Sequence, residues 1–240
     1  QRSSTEVRLS AFGQLRSSVA QLQESAAALA NGANGANNAN AANATNSGNS
    51  GNGANTANAV NAADASRSAA TRFVNAFNQA RSTANQVTQG SSGALAGDGR
   101  AAIAASQLSR TLSDDSRQQL RSIGINANQD GTLSIDQQRF NQALQDNAQG
   151  VGNALARVGT QVQQSTTRQL DDNGAINRSI DTLSARASQL QTQQAAQQQL
   201  AQQFQQQDRS QQQQDNANQF SAVNAINASG IAAYQKIFSL

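Results

Sequence analysis

Apolar residues are scarce in this chain of 240 residues, and where they recur they do so at alternating steps of three and four. Phe12, Leu15, Val19, Leu22, Ala26 and Leu29 make one such run, and Phe73, Phe77, Ala80, Ala84 and Val87 make another. The longest is Ile176, Ile180, Leu183, Ala187, Leu190, Gln194, Gln197, Ala201 and Phe204. This spacing lays side chains along one stripe of an α-helix, the seam of a coiled coil or helical bundle. A thick globular core is out of reach. Hydrophobic residues make up 37% of the chain, much of that is Ala, and aromatics are only 3%. The fold predicted is therefore mainly α, an elongated antiparallel helical bundle or coiled coil. One small β-hairpin and an Asn-rich triplet-repeat segment interrupt it.

Four segments follow from the pattern. Residues 1–30 form an N-terminal bundle helix with Phe12, Leu15, Val19, Leu22 and Leu29 in its seam. Residues 31–63 carry Asn at every third position from Asn31 to Asn61, with Gly, Ala, Ser or Thr nearly everywhere between. An α-helix has 3.6 residues per turn and cannot keep a period of three on one face. The segment is expected to be either a flexible, solvated linker or an ordered three-fold extended rod with an Asn ridge.

Residues 64–170 are expected to form a helical domain with Phe73 and Phe77 in its seam. Its third helix is expected at about 98–113, carrying Ile103, Leu108 and Leu112. A β-hairpin is expected over 120–136. There Leu120-Arg-Ser-Ile-Gly-Ile125 and Thr132-Leu-Ser-Ile135 flank a turn at Asp130 and Gly131, where Gly takes positive φ readily. Asp136 is positioned to cap the helix bearing Phe140 and Leu144, and helical pattern resumes near 148. Residues 171–240 are the C-terminal coiled coil and assembly helix. Ile180, Leu183, Leu190 and Phe204 lie in its seam. Its last part carries Phe220, Val223, Ile226, Ile231, Tyr234, Ile237, Phe238 and Leu240, the most apolar stretch of the chain. Such a stripe on a water-soluble helix marks a self-assembly surface.

Composition narrows the function. His and Cys are absent, which removes the commonest general base, the thiol nucleophile and the soft metal ligands. An enzyme is not expected, and no catalytic residue, cofactor or metal site is assigned. The net charge is +3, yet the Arg are scattered singly without interleaved aromatics, so nucleic acid is not an expected partner. No stretch is apolar enough to span a membrane. Absence of Cys fits export by a route that forms no disulfides. The chain begins at Gln1 with no signal peptide, and is read as a processed form or a fragment.

Three weaker motifs are read against simpler alternatives. Asn126 to Gln137 matches the middle of a calcium-binding loop at Asn128, Asp130, Gly131, Leu133 and Ser134. Both ends lack the required carboxylate, so the hairpin reading is preferred. Asp114-Asp115 and Asp171-Asp172 are read as helix-start charges. Asn43-Ala-Thr, Asn177-Arg-Ser and Asn227-Ala-Ser fit the glycosylation sequon.

Several stretches resemble the flagellar filament-capping protein family FliD, also called hook-associated protein 2. Leu9-Ser-Ala-Phe-Gly-Gln-Leu-Arg-Ser-Ser-Val-Ala-Gln-Leu22 resembles its first long helix. Phe73-Val-Asn-Ala-Phe-Asn78 resembles its FVdaYN stretch, and Gly93-Ala-Leu-Ala-Gly-Asp98 its GpLagD. Leu120-Arg-Ser-Ile-Gly-Ile125 and Asp130-Gly-Thr-Leu-Ser-Ile-Asp136, followed by Phe140 and Leu144, are similar to its LaslGIt…dGtLslDeakLdaAL. The terminal seam and Gln219-Phe-Ser-Ala-Val223 resemble its closing helices. The chain reads as a reduced form. The central outer domains are replaced by Asn triplets, the extreme N-terminal segment is missing, and the closing coiled coil is Gln-rich where the family's is charged.

The resemblance implies export by the flagellar secretion route to the cell exterior. It implies partners among copies of this chain and flagellar filament or hook-associated proteins. The expected function is a non-enzymatic, self-assembling structural subunit, secreted and homo-oligomeric. It would serve as a cap or filament-associated protein of the bacterial flagellum, or as the subunit of a related extracellular filament. The alternative is an adhesive or partner-binding surface module that displays the Asn-rich segment.

Overall fold

A computed structural model of the chain describes residues 4–44, 52–89 and 93–237. Among the described residues six helices and two strands are formed, in the order α1 (Ser4–Ala44), α2 (Asn52–Thr88), α3 (Gly99–Ser109), α4 (Asp114–Ser122), β1 (Ile125–Ala127), β2 (Leu133–Ile135), α5 (Gln137–Leu170) and α6 (Ala175–Ile237). The fold is mainly α with one antiparallel hairpin, as the seam spacing predicts. The chain divides into two compact units, 1–185 and 186–240.

In the first unit α1 packs along both α2 and α5. Gly32 of α1 lies against Ala69 of α2, while Ala11 and Gln14 share a groove with Gln86 and Val87. Residue numbers thus run in opposite senses. The same holds for α5, where Ala30 meets Gly159 and Gln23 donates to Thr167 at 2.7 Å. Each pair is antiparallel. The seam residues Phe12, Leu15, Val19, Leu22, Leu29, Phe73 and Phe77 are all buried in one continuous core with Phe140, Leu155, Val158 and Val162. Phe73 and Phe77 stack at 6.2 Å between ring centroids, an added aromatic contact within that core. The core also takes in Ile176 and Leu183, with Ile180 half-buried against it. The first turns of α6 therefore complete the first unit, and the compact body runs past the boundary expected at 171.

Side-chain caps set the helix starts. Asp98 accepts from the N–H groups of Arg100 and Ala101 at 2.9 and 3.1 Å, and Arg8 of α1 pairs with the same carboxylate. Ser113 caps α4 and Asp136 caps α5. Inside α5, Asn147 leaves helical geometry and its side chain accepts from the N–H of Gly150 at 2.8 Å. This restarts the helix where the apolar pattern resumes.

Five expectations are corrected. The Asn triplets are α-helical wherever they are described, at 31–44 in α1 and 52–61 in α2, rather than a linker or an extended rod. Both stretches prolong helices already nucleated by a seam, and Ala fills many of the intervening positions. The Asn then wind round the cylinder by about 60° per triplet and form no ridge. Residues 45–51 of the repeat lie outside the described residues.

The helix expected at about 98–113 is α3 and ends earlier, at Ser109, while the helix start read at Asp114-Asp115 is that of α4, capped by Ser113. Ile103 is 52% exposed, and Ala101, Ala104 and Leu108 form the buried face of α3. The hairpin is shorter than 120–136, since Leu120 belongs to α4 and each strand has three residues. Asp171-Asp172 start no helix. Asp171 ends α5, and Asn177 donates its amide to the carbonyls of Leu170 and Asp171 at 2.7 and 3.2 Å. That buried amide is committed to the turn, so the sequon at Asn177 offers no free acceptor.

Candidate functional site

Two features are candidates: the tethered hairpin, and the apolar face of α6 in the second unit. The hairpin pairs Ile125 with Ile135, Asn126 with Ser134 and Ala127 with Leu133. Gly131 sits at the turn with φ of 78°, and its N–H donates to the Asn128 carbonyl at 2.9 Å. The expected turn residues are therefore at the turn. Polar side chains there satisfy one another. One Asp130 oxygen accepts from both the N–H and the hydroxyl of Thr132, at 2.9 and 2.6 Å. Asn128 donates to the Thr132 hydroxyl at 2.9 Å and accepts from Ser134 at 3.2 Å. One oxygen of Asp130 and the amide oxygen of Asn128, both of which a calcium loop would aim at a metal, are engaged within the turn.

The bond from the Thr132 hydroxyl, aided by the Thr132 N–H and the nearby Arg81 guanidinium, holds the Asp130 carboxyl below its ordinary value of 3.8. A depressed carboxylate stabilises the fold above its unfolded-state value, and that contribution is lost as pH falls through the lower folded-state value. Acidification below the ordinary carboxylate range is expected to loosen the turn. The Thr132 amide resonance should report the step, and Asp130→Asn should abolish it.

Sequence reasoning on its own missed the tether. Asn78 of α2 accepts from the Leu133 N–H at 2.7 Å and donates to the Leu133 carbonyl at 2.8 Å, so one side-chain amide pairs with β2 as a neighbouring strand would. Arg81, one turn on, donates to the Asp130 carbonyl at 3.0 Å and to the Ser109 hydroxyl at 2.9 Å. The closing Asn of the FVNAFN stretch is the only sequence signal for this clamp. A Cβ at Gly131 would lie 2.5 Å from the Arg81 Nη2. Gly131→Val is expected to cost on the order of 1–3 kcal/mol, through positive φ and through displacement of Arg81. Urea unfolding measures it, and millimolar calcium should leave the midpoint unchanged.

The second unit is a single helix among the described residues, so nothing within it covers its apolar side chains. Phe220 is 74% exposed and Ile226 69%, with Val223 and Ile231 both more than half exposed. At 100° per residue Phe220, Val223, Ile226 and Ile231 fall within an arc of about 140°, one face of the helix. The backbone positions of Tyr234 and Ile237 extend the same arc. Phe238 and Leu240 lie outside the described residues. Burial fades along the long seam: Leu183 is buried, Leu190 half-buried, and Phe204, expected in the bundle seam, is 58% exposed. Gln and Ala surround Phe204, and no second helix of its own unit is there to receive it.

The family model for the C-terminus of flagellar hook-associated protein 2 matches residues 46–227, more than half of the chain. The chain belongs to the FliD family. The matched range holds the Asn78 clamp, the hairpin, α3 to α5 and most of α6. The likeness read at Leu9 to Leu22 falls outside it. No curated protein and no solved structure matches the chain. FliD proteins are structural flagellar cap proteins rather than enzymes, they form oligomeric flagellar assemblies, and they are exported to the cell exterior. Among the described residues no helix is long and apolar enough to cross a membrane.

Proposed function

We propose that this FliD-family chain is a non-enzymatic structural subunit that assembles with copies of itself outside the cell, through the apolar face of α6. The observation that carries this reading is the exposure of Phe220, Val223, Ile226 and Ile231 on one side of a helix that has no companion in its own unit. Soluble proteins seldom leave such a stripe open, and a second copy of the same helix offers a matching stripe. The Gln-rich stretch between 191 and 214 sets register rather than strength, because polar seam residues specify partners at a cost in stability. The hairpin is tethered to α2 by Asn78 and Arg81 and takes no part in the assembling face.

Cap and filament are two products of one assembling face. Negative-stain microscopy of the purified chain tests the reading. Rings or fibres are the expected images, and isolated monomers at every concentration would contradict it.

A further inference from the structure

We infer that the pocket beside the hairpin turn is a binding site for a small, multiply charged oxyanion. Its walls are the turn residues Asn128 to Gly131, the end of α3 and one side of α4, and they enclose about 370 Å³. Three guanidinium groups line it: Arg81 from α2, with Arg117 and Arg121 from α4. The inference is independent of assembly through α6.

Charge balance in the pocket is one-sided. The one acidic residue in the lining is Asp130, and the oxygen described above is already bonded to Thr132. Arg81 and Arg117 converge on Ser109. Arg81 donates to its hydroxyl at 2.9 Å, and Arg117 donates to its carbonyl at 3.3 Å. Ser109 is the last residue of α3, where the helix dipole favours cations, which accounts for part of the arrangement. It does not account for the rest. The Nε of Arg81 is buried with no hydrogen-bond partner, and the exposed guanidinium of Arg121 makes no hydrogen bond or ion pair among the described residues. Arg117 is anchored only loosely to Asp114, at 3.3 Å, and that carboxylate is 97% exposed.

Converging guanidinium groups repel, and an anion seated between them turns the repulsion into charge-assisted bonds. The planar forks of Arg match phosphate and carboxylate oxygens, and the pocket is roomy enough for either ion together with bridging water. The one aromatic side chain in the lining, Phe77, is buried in the core and offers no exposed face for a nucleic-acid base to stack on.

The test is calorimetric titration of the full chain with inorganic phosphate and, separately, with citrate, at ionic strength held constant with sodium chloride. Saturable single-site binding of at least one anion is expected. Tighter phosphate binding assigns the site to phosphoryl groups, and tighter citrate binding to carboxylates. Arg121→Gln, which removes no bond within the fold, should weaken binding at least about tenfold, as loss of one charge-assisted bond implies. Arg117→Gln should do the same, and an anion-free circular-dichroism melt verifies that each variant folds. Absence of saturable heat with both anions would overturn the inference. Undiminished affinity in both variants would do so equally.

Discussion

Truncation after Asn218 is expected to convert an assembling chain into a soluble monomer that keeps most of its helix signal. The removed segment holds Phe220, Val223, Ile226 and Ile231, together with Tyr234, Ile237, Phe238 and Leu240. Burying side chains of this size between subunits is worth roughly 1.5–3 kcal/mol each, before losses to ordering and polar desolvation. Several such anchors per subunit outweigh those losses, whereas the Gln-rich stretch left behind contributes little apolar area. The core that holds the first unit ends near Leu183, more than thirty residues before the cut. Folding of that unit should therefore be insensitive to the truncation. Sedimentation velocity and far-ultraviolet circular dichroism measure the two halves of this expectation. A truncated chain that still sediments as polymer would place the assembly surface elsewhere. One that unfolds would make the segment part of the intramolecular core.

Gly159→Val is the substitution expected to cost the fold most. At Gly159 a Cβ would lie 2.6 Å from the Ala26 carbonyl oxygen and 2.7 Å from the Ala30 nitrogen. Both neighbours are backbone atoms of α1, so neither can rotate away. The helices must separate, and the seam formed by Leu22, Leu29, Leu155 and Val162 loosens with them. Overpacking typically costs about 1–3 kcal/mol and occasionally more, and a main-chain clash at a helix crossing belongs at or above the top of that range. Even Gly159→Ala should destabilise. Its helix-propensity gain of about 1 kcal/mol is smaller than the cost of moving two helices apart. Urea denaturation of both variants decides the matter. A stabilised Gly159→Ala would mean that α1 and α5 do not approach this closely in solution.

The parts of this fold that were legible in the sequence are those written in side-chain period. The seams of α1, α2, α5 and early α6 each repeat at three and four, and the hairpin turn is marked by Asp130 and Gly131. The resumption of helix near 148 was legible too, and Asn147 supplies its cause. What escaped is written in other terms. The start of α4 was legible in Asp114-Asp115, but its extent was not, because only Ser116 and Leu120 are buried, too few to set a period. The helical state of the Asn repeat is not legible because a period of three records only the order of residues and dictates no backbone geometry. The role of Gly159 has no sequence signal, since a close approach is a property of two chain segments and not of one. The Asn78 clamp was visible only as part of a family-like stretch. Its work, pairing with a strand 55 residues away, needed the fold to be seen. Of the candidate assembly face, the residues and their stripe were legible, whereas the exposure of Phe204 was not. A seam residue is buried only where a second helix exists to receive it.

The chain contains no Cys, so a single Ile226→Cys substitution gives one unique site for a nitroxide spin label on the exposed face of α6. Electron paramagnetic resonance, recorded across a dilution series, tests assembly through that face directly. The label should be mobile and open to water-soluble relaxation agents in the dilute monomer. It should become immobilised and shielded at concentrations where sedimentation shows assembly. A label that stays mobile and accessible in the assembled chain would contradict the account.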